Sequence, residues 1–426
     1  MPELRIAPEA KSEAPGEELA VMLTGGGARA AYQVGLLKGL ARHFPDLRFQ
    51  IITGVSAGAI NAVFLASRQG NLAKKVEQLA DFWGELECHH VFRPNYAALL
   101  PFRSALGTLL TRPVGKRPHG FFNSAPLAAL LRRVFNAPQR GVPIDGIKQN
   151  LAAGEIRALA LITLDYSTGQ SVRWVQGRGV DVFEGPNRRS SRTQITLEHV
   201  MASAALPFVF PAIRIGSRYY GDGCIRLSAP LSAAVHLGAR RILAMSSGYQ
   251  RTPDEASTPV VEGYPPAAQI ISQLVNAIFL DVIDEDVLRM QRLNEMILKL
   301  PPEERDGLRP IDLFVLRPSR DLGKLASAYE KYLPRSMKFF TRALGSRETE
   351  SPDFVSLLMF EPHFTRVLIE MGEEDVESRL DELSVFFRPQ GEGTREPSPR
   401  VSGRGWRAAP GEGPITASPS KSAVPR

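Results

Sequence analysis

Five residues constrain this chain more than any others. Gly54-Val55-Ser56-Ala57-Gly58 lies between the apolar run Gln50-Ile51-Ile52-Thr53 and an alanine-rich helical run. A serine between two glycines at a strand-to-helix junction reads as a nucleophile elbow, a sharp turn that pushes Ser56 Oγ outward. Gly54 and Gly58 let the strand and helix backbones approach each other where a Cβ would clash. Alone, the pattern also fits an ordinary glycine-serine loop, so its context decides.

Upstream, Leu19-Ala20-Val21-Met22-Leu23-Thr24 reads as a short buried strand, followed by Gly25-Gly26-Gly27-Ala28-Arg29 and then an apolar helical pattern from Ala30 to Leu40. Glycines at this junction can turn their amides toward one point, and the helix N-terminus adds partial positive charge. Such a place suits a phosphate or the oxyanion of acyl transfer; a flexible turn is the plainer reading of the glycines taken alone. No Gly-Lys-Ser/Thr follows, which disfavours a nucleotide P-loop. Gly25, Gly27 and Ala30 approximate the dinucleotide fingerprint, whose last position tolerates alanine. Downstream, Tyr219-Tyr220-Gly221-Asp222-Gly223-Cys224 places an aspartate between glycines, after the stiff segment Ala205-Leu206-Pro207-Phe208-Val209-Phe210-Pro211. An Asp-Gly pair is usually a turn.

In order and spacing, the three elements resemble the patatin-like phospholipase family of the bacterial type. That family carries a glycine-rich oxyanion loop, a Gly-x-Ser-x-Gly elbow and an Asp-Gly motif. The resemblance runs from about Leu19 to Gly248. It implies a Ser–Asp dyad with Ser56 as nucleophile and Asp222 as base. It also implies an oxyanion loop of Gly25, Gly26, Gly27 and Arg29, an elbow bounded by Gly54 and Gly58, and an Asp-Gly motif completed by Gly223. Neither metal nor cofactor is called for. Two positions depart from the family pattern: Ala30 stands where a glycine is usual, and Cys224 replaces a smaller residue. The dyad has a physical basis, since a carboxylate within reach of a serine hydroxyl can take its proton directly. Among seven histidines, His236 is the best candidate for a rival triad, but Pro230–Leu237 reads as a packing helix.

The chain has 426 residues, 43% hydrophobic, enough for one large domain with additions. Two cysteines, Cys88 and Cys224, give no disulfide framework. Cys88-His89-His90 lacks a second ligand cluster, so a metal site is not expected. The first residues have no apolar signal-like core, and no long apolar run is present to span a membrane. The expectation is a cytoplasmic enzyme with possible peripheral membrane contact.

Charge is distributed unevenly within a net +7. From Cys88 to Ile144 there is no acid, but eight basic residues: Arg93, Arg103, Arg112, Lys116, Arg117, Arg132, Arg133 and Arg140. Aromatic and leucine residues interleave them. This suits an anionic lipid surface, while charge alone is equally compatible with a solvated basic cap. Nucleic acid is a weaker reading, because no recognition motif accompanies the charge.

Alternating strands and helices point to an α/β fold, three-layered, with a mostly parallel central sheet between helices. Ala158–Leu164 and Ser171–Val175 read as paired strands around Ser167-Thr168-Gly169, and Arg241–Ser246 as another buried strand. The expected organisation is a disordered 1–18, a catalytic domain over 19–250, a mainly helical region over 251–388 with one strand near Ile311–Leu316, and a Pro/Gly/Ser/Arg-rich disordered tail over 389–426. The function expected is hydrolysis of a lipid ester, phospholipid or lysophospholipid, through an acyl-enzyme. A non-catalytic lipid-binding protein of the same fold and an acyltransferase are the alternatives.

Overall fold

The structure is a computed structural model that describes residues 18–94, 120–178, 184–259, 263–265, 267–338 and 353–388. Its centre is a mixed sheet. The strands are β1 (Leu19–Leu23), β2 (Ile51–Val55), β5 (Ala158–Asp165), β6 (Ser171–Gly177), β7 (Glu184–Gly185), β8 (Arg188–Arg192), β9 (Ile213–Ile215), β10 (Arg218–Asp222), β11 (Arg241–Met245) and β12 (Asp312–Leu316). A separate two-stranded pair is formed by β3 (Arg93–Pro94) and β4 (Phe122–Asn123). The main order is β12-β11-β1-β2-β5-β6-β8-β7, with β10 paired to β5 and β9 to β10. The run β12-β11-β1-β2-β5 is parallel. β5 and β6 form the antiparallel pair expected around Gly169.

Strands β1, β2 and β11 are buried along their whole length, which explains their mostly apolar sequences. Alternate side chains feed two cores. Leu19, Val21 and Leu23 face a thick layer containing α1 (Ala30–His43), α2 (Ala57–Ser67), α3 (Leu72–Gly84) and the helix Pro362–Glu377. Ala20 and Met22 face a thinner layer with Leu231, Ala234, Ile283 and Val287, from the helices Ser232–His236 and Val282–Lys299 and the residue preceding the first. The three layers agree with the sequence reading.

The C-terminal residues complete this core. β12, within the strand expected near Ile311–Leu316, extends the sheet beside β11. Pro362–Glu377 lies against α1 so closely that a Cβ on Gly35 would stand 2.0 Å from the Ile369 carbonyl oxygen. Tyr32 donates its hydroxyl proton to Asp375 at 2.8 Å across the same contact. Within the region 251–388, a helix over Ala267–Val275 passes into a π turn at Asn276–Leu280 before the helix Val282–Lys299. Among the described residues, no helix is long and apolar enough to cross a membrane. The predicted disordered N-terminus, apart from Glu18, and the tail lie outside the described residues.

The close contact gives a stability prediction. Gly35→Ala should destabilise the protein by about 1–3 kcal/mol, the usual scale of overpacking. Urea unfolding followed by circular dichroism measures it, and an unchanged midpoint would remove this contact from the core's essential packing.

Candidate active site

The site is assembled on one edge of β5. β2 runs parallel to it, with Val55 opposite Ile162. β10 runs antiparallel along the same edge, with Asp222 opposite Thr163. The two strands therefore approach end to end at neighbouring positions of β5. Ser56 follows Val55 directly, so a residue from the first third of the chain meets one more than 160 positions later.

Ser56 stands where β2 becomes α2, with φ 56° and ψ −132°. A non-glycine residue holds such a backbone only when its surroundings impose it. Here Ser56 N–H donates to Ser203 Oγ at 3.0 Å, and the Ser203 hydroxyl donates to the Ile162 carbonyl at 2.7 Å. Ser203 thus ties the turn to β5. Gly54 and Gly58 face each other, and a Cβ on Gly54 would lie 2.6 Å from the Gly58 carbonyl oxygen. The sequence reading placed the Ser56 hydroxyl outward. The structure instead buries Ser56 to 4% exposure, because the glycine loop and the C-terminal residues close over the elbow.

Asp222 is fully buried. Its N–H donates to the Ala205 carbonyl at 3.1 Å, so the proline-bounded segment supports it directly. Oδ1 accepts from Cys224 N–H at 2.9 Å. Oδ2 has no hydrogen-bond partner among the described residues. Burial pushes the carboxyl up to about 6, against the opposing pull of Ser56 and Cys224. Ser56 is close enough to stabilise the carboxylate, yet the two lack a hydrogen bond of ordinary length and angle. Gly223 follows on the β5 backbone, where a Cβ would stand 2.4 Å from the Ile162 carbonyl oxygen.

The glycine loop packs onto both groups. A Cβ on Gly25 would lie 2.7 Å from Cys224 Sγ and 2.9 Å from Ser56 Cβ, so only glycine permits this approach. Gly26 and Gly27 have φ of 153° and 55°, and their N–H groups have no acceptor among the described residues. The loop is anchored from behind by Ser247, whose hydroxyl donates to the Gly25 carbonyl. Thr24 Oγ1 also accepts Ser247 N–H at 3.2 Å. A buried amide chain continues this anchoring. Gln33 Nε2 donates to the Thr24 carbonyl at 2.9 Å, Asn61 Nδ2 to Gln33 Oε1 at 3.1 Å, and Trp83 Nε1 to Asn61 Oδ1 at 2.8 Å.

The Arg29 side chain does not turn toward Ser56. It is buried, donates Nε to Ser356 Oγ at 2.6 Å and pairs with Asp353. Asp353 Oδ2 also accepts from Asn276 Nδ2 at 2.7 Å, which joins the π turn to this clamp. Ser203, Ser247 and Asp353 were not singled out in the sequence. Small serines among apolar residues and an acid at a helix start give no local signal of these roles.

An apolar slot opens onto Ser56. Gly26, Gly27 and Ser56 meet Ile60, Trp83, Leu206, Phe210, Phe279 and Leu358 there. The slot is narrowed to about 30 Å³, so a long apolar group enters by displacing its lining.

Other sequence candidates lie elsewhere. The groups acting on Asp222 are Ser56 and Cys224, with no histidine among them. His236 Nδ1 lies 2.6 Å from the Ser232 carbonyl of its own helix. His90 Nδ1 accepts from Glu87 N–H at 3.2 Å, and Cys88 Sγ donates to the Leu358 carbonyl at 3.6 Å. Arg103, Arg112, Lys116 and Arg117 of the basic stretch lie outside the described residues, while Arg140 pairs with Glu198 at 3.5 Å.

No curated protein matches the chain. Among solved structures, VipD from Legionella pneumophila matches at 12% identity and a TM-score of 0.31, over 74% of this chain and 66% of that one. Human GIVD cytosolic phospholipase A2 matches at 13% and 0.37, over 86% and 60%. A chain of the SpcU–ExoU complex of Pseudomonas aeruginosa matches at 15% and 0.28, over 77% and 60%. The chain thus spans roughly 60–66% of these structures' lengths. The family described as patatin-like phospholipase matches residues 21–235, half of the chain and the part that carries the elbow, the glycine loop and Asp222. This chain belongs to the patatin-like phospholipase family.

Proposed function

We propose that the protein cleaves lipid esters, phospholipid or lysophospholipid, with Ser56 as nucleophile and Asp222 as its base. The observation that carries this reading is the convergence of Val55 and Asp222 on neighbouring positions of β5, at the mouth of an apolar slot. An acyl chain in the slot brings its ester carbonyl to Ser56. Asp222, ionised above its raised pKa, accepts the hydroxyl proton as Oγ bonds to the carbonyl carbon. The charge that develops on the carbonyl oxygen falls to the unengaged Gly26 and Gly27 amides. The alcohol leaves with a proton returned by Asp222. Water then attacks the acyl-enzyme by the same route, releasing a fatty acid. Arg29 serves the loop by fixing its underside rather than by touching the substrate.

Ser56→Ala should abolish fatty-acid release from a mixed phospholipid and lysophospholipid extract, and should also abolish labelling by a fluorophosphonate. Retained release by a folded Ser56→Ala protein would remove Ser56 from the reaction. Ester product formed with an added alcohol, at the expense of free acid, would favour acyl transfer.

Asp222→Asn should lower turnover by roughly 10²–10⁴-fold, the scale of general-base loss. Its effect on stability has a definite sign. The folded-state pKa of Asp222 is raised from 3.8 to about 6, so ionising it opposes folding. That cost is absent below about 3.8 and complete above about 6. The asparagine variant should therefore gain Tm over wild type at neutral pH, by up to about 2–3 kcal/mol in stability, and the gain should vanish near pH 4. An equal Tm difference at both pH values would contradict a buried, ionising Asp222.

A further inference from the structure

A second cavity, of about 490 Å³, lies on the far side of the Asp222–Cys224 turn, between that turn, β6, β8 and the π turn. Cys224 is part of its wall. No aspartate or glutamate lines it, but arginines do.

Arg173 is the key residue. It sits in β6 opposite Ser190 of β8, and Arg188 is two positions before Ser190, so Arg173 and Arg188 share one face of the sheet. Arg173 is only 9% exposed, and Ser232 Oγ, 3.2 Å from Nη2, is the one hydrogen-bond partner of its side chain among the described residues. Burial and the neighbouring Arg188 both push its pKa down, to about 10. Two like charges on one face, one of them buried and without a carboxylate, are electrostatically costly unless an anion joins them. Arg226 enters from the Asp222–Cys224 side, where Nη2 donates to Asn187 Oδ1 at 2.8 Å, a neutral partner. The remaining arginine, Arg189, is engaged by Asp165 at 3.5 Å and by the Tyr220 hydroxyl at 3.3 Å. Asp286 feels Arg188 but is already committed to Leu231 N–H at 2.8 Å and to Arg289 at 3.3 Å.

We propose that this cavity binds a phosphoryl group. Three guanidinium forks without carboxylate partners, beside the hydroxyls of Ser190 and Ser232, match a tetrahedral, multiply charged anion better than a single carboxylate. The phosphate comes either free from solution or as the headgroup of a lipid. Cys224 links this cavity to the active site, because its N–H holds Asp222 Oδ1 while its Sγ abuts Gly25. Binding here therefore acts on the catalytic aspartate from behind. The proposal does not depend on hydrolysis, since binding is measured without turnover.

The test uses the full chain and inorganic phosphate, titrated calorimetrically at constant ionic strength with chloride as the comparison anion. The exposed pair Arg188→Ala/Arg226→Ala is the informative variant, because Arg173→Ala could unfold the protein. Arg48→Ala/Arg320→Ala removes equal charge elsewhere. Wild type and the Arg48/Arg320 variant should bind one phosphate, and the Arg188/Arg226 variant should bind it at least about tenfold more weakly. No binding above chloride, or equal weakening in both variants, would overturn the proposal. Vesicles of phosphatidylcholine containing phosphatidic acid identify the source. Displacement of the protein from them by phosphate, lost in the Arg188/Arg226 variant, assigns the site to a lipid headgroup. Vesicle binding indifferent to that variant, with phosphate binding intact in wild type, assigns it to the free anion.

Discussion

Everything in the candidate site depends on the register of β5. One edge of that strand receives β2 over Ala158–Ile162 and β10 over Thr163–Asp165. The first delivers Ser56 and the second Asp222, from opposite directions. Register in a buried sheet is strongly specified, because a one-residue slip would turn each side chain to the other face. A slip of β10 would carry Asp222 away from the elbow and put Gly221 or Gly223 in its place. The glycines on either side of the aspartate are thus requirements of packing: Gly223 lies on the Ile162 carbonyl, and Gly221 lies against the Tyr166 ring.

The remainder of the site holds that junction under strain. Ser56 keeps an uncommon backbone because Ser203 takes its N–H. Gly25 keeps its approach to Ser56 because Ser247 holds its carbonyl. Arg29 carries the same restraint outward to Asp353, Ser356 and Asn276. Removing Asp353 would leave a buried, unpaired guanidinium, an arrangement that costs several kcal/mol. The helical C-terminal region is therefore part of the loop's support, joined to it by α1 and by this ion pair. Asp222 sits in the same enclosure with one oxygen unsatisfied, and that deprivation raises its basicity.

Much of this was legible in the sequence, for physical reasons. The elbow, the glycine loop and the Asp-Gly turn each combine residues whose backbone demands are local, so they appear as contiguous motifs. Buried strands such as Leu19–Leu23 and Arg241–Met245 appear as short apolar runs. What the sequence did not reveal depends on long-range contact. Ser203 and Ser247 act through single hydroxyls within apolar segments. Ser56 shares its slot with residues hundreds of positions away, such as Leu357 and Leu358. Arg29 fits a loop motif, yet its side chain is claimed by Asp353. Arg173 was hidden inside a strand, and only its pairing beside β8 brings it next to Arg188. The acid-free stretch over Cys88–Ile144 is visible in the sequence, whereas the arginine-lined cavity beside β6 and β8 forms only in the fold.

As proposed, Asp222 is the base that activates Ser56. The most direct measurement is the rate at which a fluorophosphonate modifies Ser56 as a function of pH, in wild type and Asp222→Asn. With Asp222 held at about 6, the wild-type rate should fall as pH drops through that value, and the asparagine variant should react slowly and without that step. A variant that reacts as fast as wild type, with the same pH profile, would contradict the account.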